Sequence, residues 1–123
     1  MHELPITQHL LEIVLRHAEQ AGAARVTDIY LVIGQLSSYV DESIQFYWDT
    51  LCRGTVAEGA QLHFEHIQAE VECQACGMHS AWGEIGQGCP NCGSLRVKVI
   101  AGEEFYVRAI RVQTADEVEG SEA

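Results

Sequence analysis

Four cysteines constrain this chain more than any other feature. Cys73, Cys76, Cys89 and Cys92 follow the spacing Cys-x2-Cys-x12-Cys-x2-Cys, which carries two pairs of thiolates from two tight turns onto one small ion. Four soft ligands in that arrangement suit zinc, or iron in a rubredoxin-like site. In both halves, Cys73-Gln74-Ala75-Cys76-Gly77 and Cys89-Pro90-Asn91-Cys92-Gly93, a glycine follows the second cysteine. A residue without Cβ there accepts positive φ and lets backbone amides point at sulfur. Protein fills all four coordination positions, so zinc here is expected to be a structural staple with no open site for water or substrate.

Disulfides and a redox dithiol fit less well. No apolar signal segment precedes the amphipathic stretch that follows Met1-His2-Glu3, so a reducing cytoplasmic location is expected. A thioredoxin-like site needs one Cys-x-x-Cys opening a helix, whereas here two copies flank a glycine-rich loop, Gly77 to Gly88, expected to be poor in strand. His79 lies in that loop and is a minor alternative ligand. Cys52, beside Leu51 on an expected helix, reads as a buried small hydrophobe.

At 123 residues and 47% hydrophobic, the chain can build one modest core and a metal-stapled appendage. No apolar run reaches the roughly 18 residues of a membrane span. The formal charge is −11, from 18 acidic and 7 basic residues. Four of the acids fall between Asp116 and Ala123; without them 14 acidic residues still face 7 basic ones. A field of that sign repels phosphate backbones and attracts cations or basic partners, so nucleic acid is disfavoured as a partner.

The pattern predicts a first helix over Pro5–Ala21, with Leu10, Leu11, Val14, Leu15 and Ala18 at helical spacing and Gly22 as its stop. A strand is predicted from Arg25 to Ile33. A second helix is predicted to be capped by Asp41 and to end near Gly54, with Ile44, Tyr47, Trp48 and Leu51 on one face. Further strands are predicted at Gln61–Glu72, Leu95–Ile100 and Glu104–Val112. The last is long enough to return to the main sheet, which makes the cysteine module an insertion between two sheet strands. The expected fold is α+β, two helices packed on a roughly three-stranded sheet, with an inserted zinc ribbon. The expected divisions are 1–72 and a return strand at 101–113 for the main domain, 73–100 for the ribbon, and a disordered acidic tail at 114–123.

Of the six histidines, His9 and His17 are eight residues apart on a helix, and His63 and His66 differ by an odd number on a strand. Neither pair makes an i, i+4 clamp, so these read as surface or partly buried imidazoles. His2 differs. Its imidazole, its own amide nitrogen and the Met1 α-amine can close fused chelate rings around one ion, and the Glu3 amide can reach the fourth corner of a plane. Nickel(II) and copper(II) favour such tetragonal nitrogen sites.

Taken in order, these features resemble the HypA/HybF nickel-incorporation proteins of hydrogenase maturation. Met1-His2-Glu3-Leu4 is similar to the family's opening, Ile33-Gly34-Gln35-Leu36-Ser37 to its turn after the first strand, and the two Cys-x-x-Cys-Gly knuckles to its zinc module. Gly102-Glu103-Glu104-Phe105 is similar to the approach to its last strand. The resemblance covers all but the acidic tail. It implies a metallochaperone with nickel at Met1, His2 and Glu3 and structural zinc at Cys73, Cys76, Cys89 and Cys92. The implied partners are a HypB-like GTPase and the large subunit of [NiFe]-hydrogenase, and in some members urease maturation factors. A membrane partner is not expected, and the chain is expected to be a monomer or weak homodimer. It departs from the family at Pro5-Ile6-Thr7, where Ser-Leu or similar is usual, a change that bears on how the first helix begins.

Two other readings remain. A zinc-ribbon adaptor in a nucleic-acid or transcription complex would use Arg96, Lys98, Arg108 and Arg111 as a basic stripe, and a rubredoxin-like electron carrier would hold iron. An enzyme is the least supported: Glu42, Asp49, Glu103 and Glu104 form no acid–base pair in a nucleophile motif, and no phosphate loop is present.

Overall fold

The computed structural model describes residues 3–116. Helix α1 (Glu3–Gln20) buries Glu3, Thr7, Leu10, Val14 and Ala18, one stripe at the helical period. It stops where Gly22 takes φ 65°. There Ala23 N–H bonds Ala18 O at 2.9 Å and Gly22 N–H bonds Glu19 O at 3.1 Å, the paired bonds that close a helix over a left-handed residue. The helix begins two residues before the predicted Pro5. Proline still falls in the first turn, where no intrahelical bond is asked of its nitrogen.

Helix α2 (Asp41–Leu51) buries Ile44 and Trp48, and Cys52 follows at the same interval, buried as expected. Asp41 does not cap it. The cap position is Val40, in extended backbone without a side-chain bond, and Asp41 is the first helical residue, where its charge suits the helix dipole. Glu3 explains the shift: its Oε2 accepts the Val40 N–H at 3.2 Å, so α1 supplies the acceptor at this helix start. The two helices pack on each other. Full burial of side chains such as Leu10, Ile29, Leu31, Ile44 and Trp48 contributes roughly 1.5–3 kcal/mol each.

The strands are β1 (Arg25–Gly34), β2 (Gln61–Ile67), β3 (Glu70–Cys73), β4 (His79–Ala81), β5 (Val97–Ala101) and β6 (Phe105–Gln113). They form two three-stranded sheets, in the orders β2-β1-β6 and β4-β3-β5. The single strand predicted over Gln61–Glu72 is broken at Gln68-Ala69 because its halves serve different sheets. The loop expected to lack strand holds β4, which pairs antiparallel with β3 (Val71 opposite Ser80, Glu72 opposite His79). On the other side of β3, Glu72 faces Lys98 and Cys73 faces Val97. Strands β3 to β5 lie between β2 and β6 in sequence, so the ribbon is an insertion, and the architecture is α+β with two helices.

The chain divides into two compact units. The first comprises Met1–Leu31, Tyr39–Phe64 and Tyr106–Ala123, and the second Val32–Ser38 and Glu65–Phe105. This division differs from the boundaries drawn from sequence. Residues 65–72 go with the cysteines because β3 is flanked on both sides by ribbon strands. Residues 32–38 join them through backbone bonds: Gly34 N–H to Glu104 O at 2.7 Å and Leu36 N–H to Gly102 O at 2.6 Å. The Gln35 carboxamide also accepts the Ala69 N–H at 2.8 Å. Of the acidic segment expected to be disordered, residues 117–123 lie outside the described residues.

Candidate metal centre

Each cysteine pair sits in a turn built the same way. In the first, Gly77 N–H bonds Cys73 O at 2.9 Å; in the second, Gly93 N–H bonds Cys89 O at 2.7 Å. Both glycines take positive φ, 79° and 77°, which a Cβ would strain. The turn then aims an amide at the first sulfur of each pair: Ala75 N–H lies 3.4 Å from Cys73 Sγ, and Asn91 N–H lies 3.4 Å from Cys89 Sγ. These bonds favour thiolate over thiol.

The four sulfurs converge, all lying within 4.8 Å of one another. Cys73 and Cys92 are 3.5 Å apart, and Cys76 and Cys89 are 3.7 Å apart. A tetrahedron with zinc–sulfur bonds of about 2.3 Å has edges of about 3.8 Å, so the donor set fits one zinc ion. Cys73 and Cys89 are buried, while Cys76 and Cys92 are exposed.

Thiolates this close together repel one another. The backbone N–H of Cys76, aided by that of Ala75, holds the Cys73 thiol down at about 6. Cys76 is lowered chiefly by the Asn91 side chain. Cys92 is bonded by the Ser94 backbone N–H, which favours its thiolate, yet the crowding of Cys73, burial, Cys76 and Cys89 push it up to about 12. A bound dication would relieve that crowding.

One contributor was not singled out in the sequence. Asn91 Nδ2 donates to Cys76 Sγ at 3.4 Å, tying the second turn to the first. The signal available was an amide side chain in the second turn of a paired-knuckle motif. His79, by contrast, turns to carboxylates, with Nε2 3.1 Å from Glu72 and Nδ1 3.6 Å from Glu70.

Of the expected nickel ligands, Met1 and His2 lie outside the described residues. Glu3 opens α1, so its backbone nitrogen belongs to the helix's first turn. Its side chain is buried at 3% exposure and engaged with Val40. Of the basic residues proposed as a stripe, Lys98 faces Glu72 across the ladder and Arg108 lies over the Tyr30 ring, 5.9 Å from its centroid.

Residues 1–112 match the family model described as "Hydrogenase/urease nickel incorporation, metallochaperone, hypA". The chain belongs to the HypA family. A hydrogenase maturation factor HypA of Dehalococcoides mccartyi is 40% identical over 112 residues, 91% of this chain and 94% of that one. A hydrogenase maturation factor HybF of Klebsiella pneumoniae is 36% identical over 110 residues, 89% of this chain and 97% of that one. Among solved structures, a solution structure of a HypA protein superimposes with a TM-score of 0.73 at 22% identity, covering 92% of this chain and 97% of that one. The solution structure of the nickel metallochaperone HypA from Helicobacter pylori gives 0.67 at 19% identity, covering 93% and 99%. At those identities the structures establish the shared fold, and the family rests on the sequence matches. The family's described role is a carrier's, and no helix among the described residues is long and apolar enough to cross a membrane.

Proposed function

We propose that this protein is a nickel metallochaperone of the cytoplasm that binds Ni(II) at its N-terminus and helps insert it into the large subunit of [NiFe]-hydrogenase. In this reading the Met1 amine, the His2 amide and imidazole and the Glu3 amide hold the ion in a plane. Cys73, Cys76, Cys89 and Cys92 hold zinc, which props up the ribbon. The observation that carries the reading is the family match over residues 1–112, which takes in all three N-terminal residues and all four cysteines.

Tetragonal nitrogen sites suit Ni(II) and Cu(II). Delivery also requires that the ion be given up, which a site of a few consecutive residues allows more readily than a closed cage. A HypB-like GTPase is the proposed partner in handover, and urease maturation a second destination.

Nickel titration with metal analysis tests this. His2→Ala is expected to abolish stoichiometric nickel binding while zinc content and fold persist. Micromolar nickel binding retained in that variant, or in protein extended ahead of Met1, would overturn the assignment.

A further inference from the structure

The first sheet holds an imidazole oriented as metal-bound imidazoles are, and it belongs to neither proposed site. His63 on β2 places Nε2 2.8 Å from Asp28 Oδ1 on β1. Asp28 is itself fixed by Thr27 Oγ1, which donates to Oδ2 at 2.8 Å. His63 also stacks on Tyr30, with ring centroids 4.6 Å apart and planes 13° from parallel. Ring plane, ring rotation and one nitrogen are thereby set by three neighbouring side chains.

The tautomer follows from the partner. The hydrogen bonds from His63 and Thr27 hold the Asp28 carboxyl below its usual range, so it is a carboxylate and can only accept. Nε2 therefore donates. In the neutral ring the lone pair then resides on Nδ1, and the side chain is 42% exposed. A carboxylate bonded to one nitrogen of an imidazole, with the lone pair left on the other, is the arrangement that orients metal-bound histidines and raises their basicity. His79 and His9 are placed differently: His79 has a carboxylate at both nitrogens, and His9 meets a helical Glu12 at 3.8 Å.

We propose that His63 Nδ1 is an accessory ligand for a borderline divalent cation, Ni(II), Cu(II) or Zn(II), with Asp28 as its orienting partner. One imidazole completed by water or by a donor from elsewhere makes a weak, rapidly exchanging site. The chain's net charge of −11 raises the local cation concentration. Arg108, over Tyr30, works against a dication, and the Asp28 charge offsets it. The proposal does not depend on the N-terminal site.

The probe is Ni(II) added beyond one equivalent to the zinc-loaded full chain, followed by imidazole NMR. Nickel in a plane of nitrogens is diamagnetic, whereas nickel held by one imidazole and water is octahedral and paramagnetic. The His63 ring signals are expected to broaden at lower nickel concentration than those of His9, His17, His66 and His79. Asp28→Asn should preserve the fold and raise that concentration about 10-fold or more; His63→Gln should remove the additional nickel. Equal broadening of all exposed histidines, an undisturbed His63, or an Asp28→Asn variant indistinguishable from the parent overturns the proposal.

Discussion

Gly34 and Gly102 meet backbone to backbone: a Cβ built on Gly34 would overlap the Gly102 carbonyl, and one built on Gly102 would press on Ala69. The two glycines belong to the motifs Ile33-Gly34-Gln35-Leu36-Ser37 and Gly102-Glu103-Glu104-Phe105, so segments nearly seventy residues apart in the chain, by their numbering, form one joint. Gly34 has φ −80° and ψ 149°, a conformation open to any residue. The requirement for glycine there is therefore purely one of space. Gly34→Ala is expected to cost about 1–3 kcal/mol or more, the range for overpacking, read as a lowered midpoint of chemical denaturation at unchanged slope. An unchanged midpoint would show that the approach is looser than described.

How much of this was legible in the sequence follows from the range of the interactions. Helical spacing announced α1 and α2, and cysteine spacing announced the metal centre, because each is set by near neighbours. The start of α2 was misplaced because its acceptor, Glu3, lies 37 residues away. The break at Gln68-Ala69 was missed because alternation runs through it, and only the partners reveal that β2 and β3 serve different sheets. β4 was hidden by its length, three residues, too short for periodicity to register. The Asp28–His63 pair spans 35 residues, and considering histidines only against one another left its carboxylate out.

Asn91 offers a test of the metal centre that leaves its ligands in place. Its side chain bonds Cys76 Sγ from the opposite turn, stabilising charge on a coordinating sulfur. Asn91→Ala is expected to weaken zinc retention about 10-fold, within the range for lost outer contacts, measured by competition with a chromogenic chelator. Asn91→Asp should be worse, since a carboxylate would face thiolates. Equal retention in all three proteins would remove Asn91 from the site.

Zinc removal should act unequally on the two units. Fully or nearly buried apolar side chains such as Leu10, Val14, Ile29, Ile44 and Trp48 fall in the first unit, whereas the second has, among the described residues, Val32, Ile33, Ala69, Val71, Cys73 and Cys89 as its buried apolar residues. So small a core needs its metal to fold. A strong chelator is expected to abolish amide protection at Val71, Ser80 and Val99 while Val14 and Trp48 stay protected in hydrogen exchange. Uniform loss, or none, would contradict this division of stability.

The last prediction concerns acid. Asp28 has its pKa lowered from 3.8, first by the His63 hydrogen bond and then by Thr27. A carboxyl whose folded value lies below its unfolded value binds fewer protons when folded, so its contribution is fully present above the unfolded value and disappears as pH falls through the folded one. Asp28→Asn removes that dependence. The stability difference between the parent and Asp28→Asn should therefore shrink as pH falls below about 4. Protonation of the thiolates affects both proteins alike and cancels in the difference. Denaturation midpoints taken below about pH 5 settle it: a difference that grows as pH falls through the carboxylate range would mean the carboxyl is held above its ordinary value, and the Asp28–His63 bond would not be the interaction described.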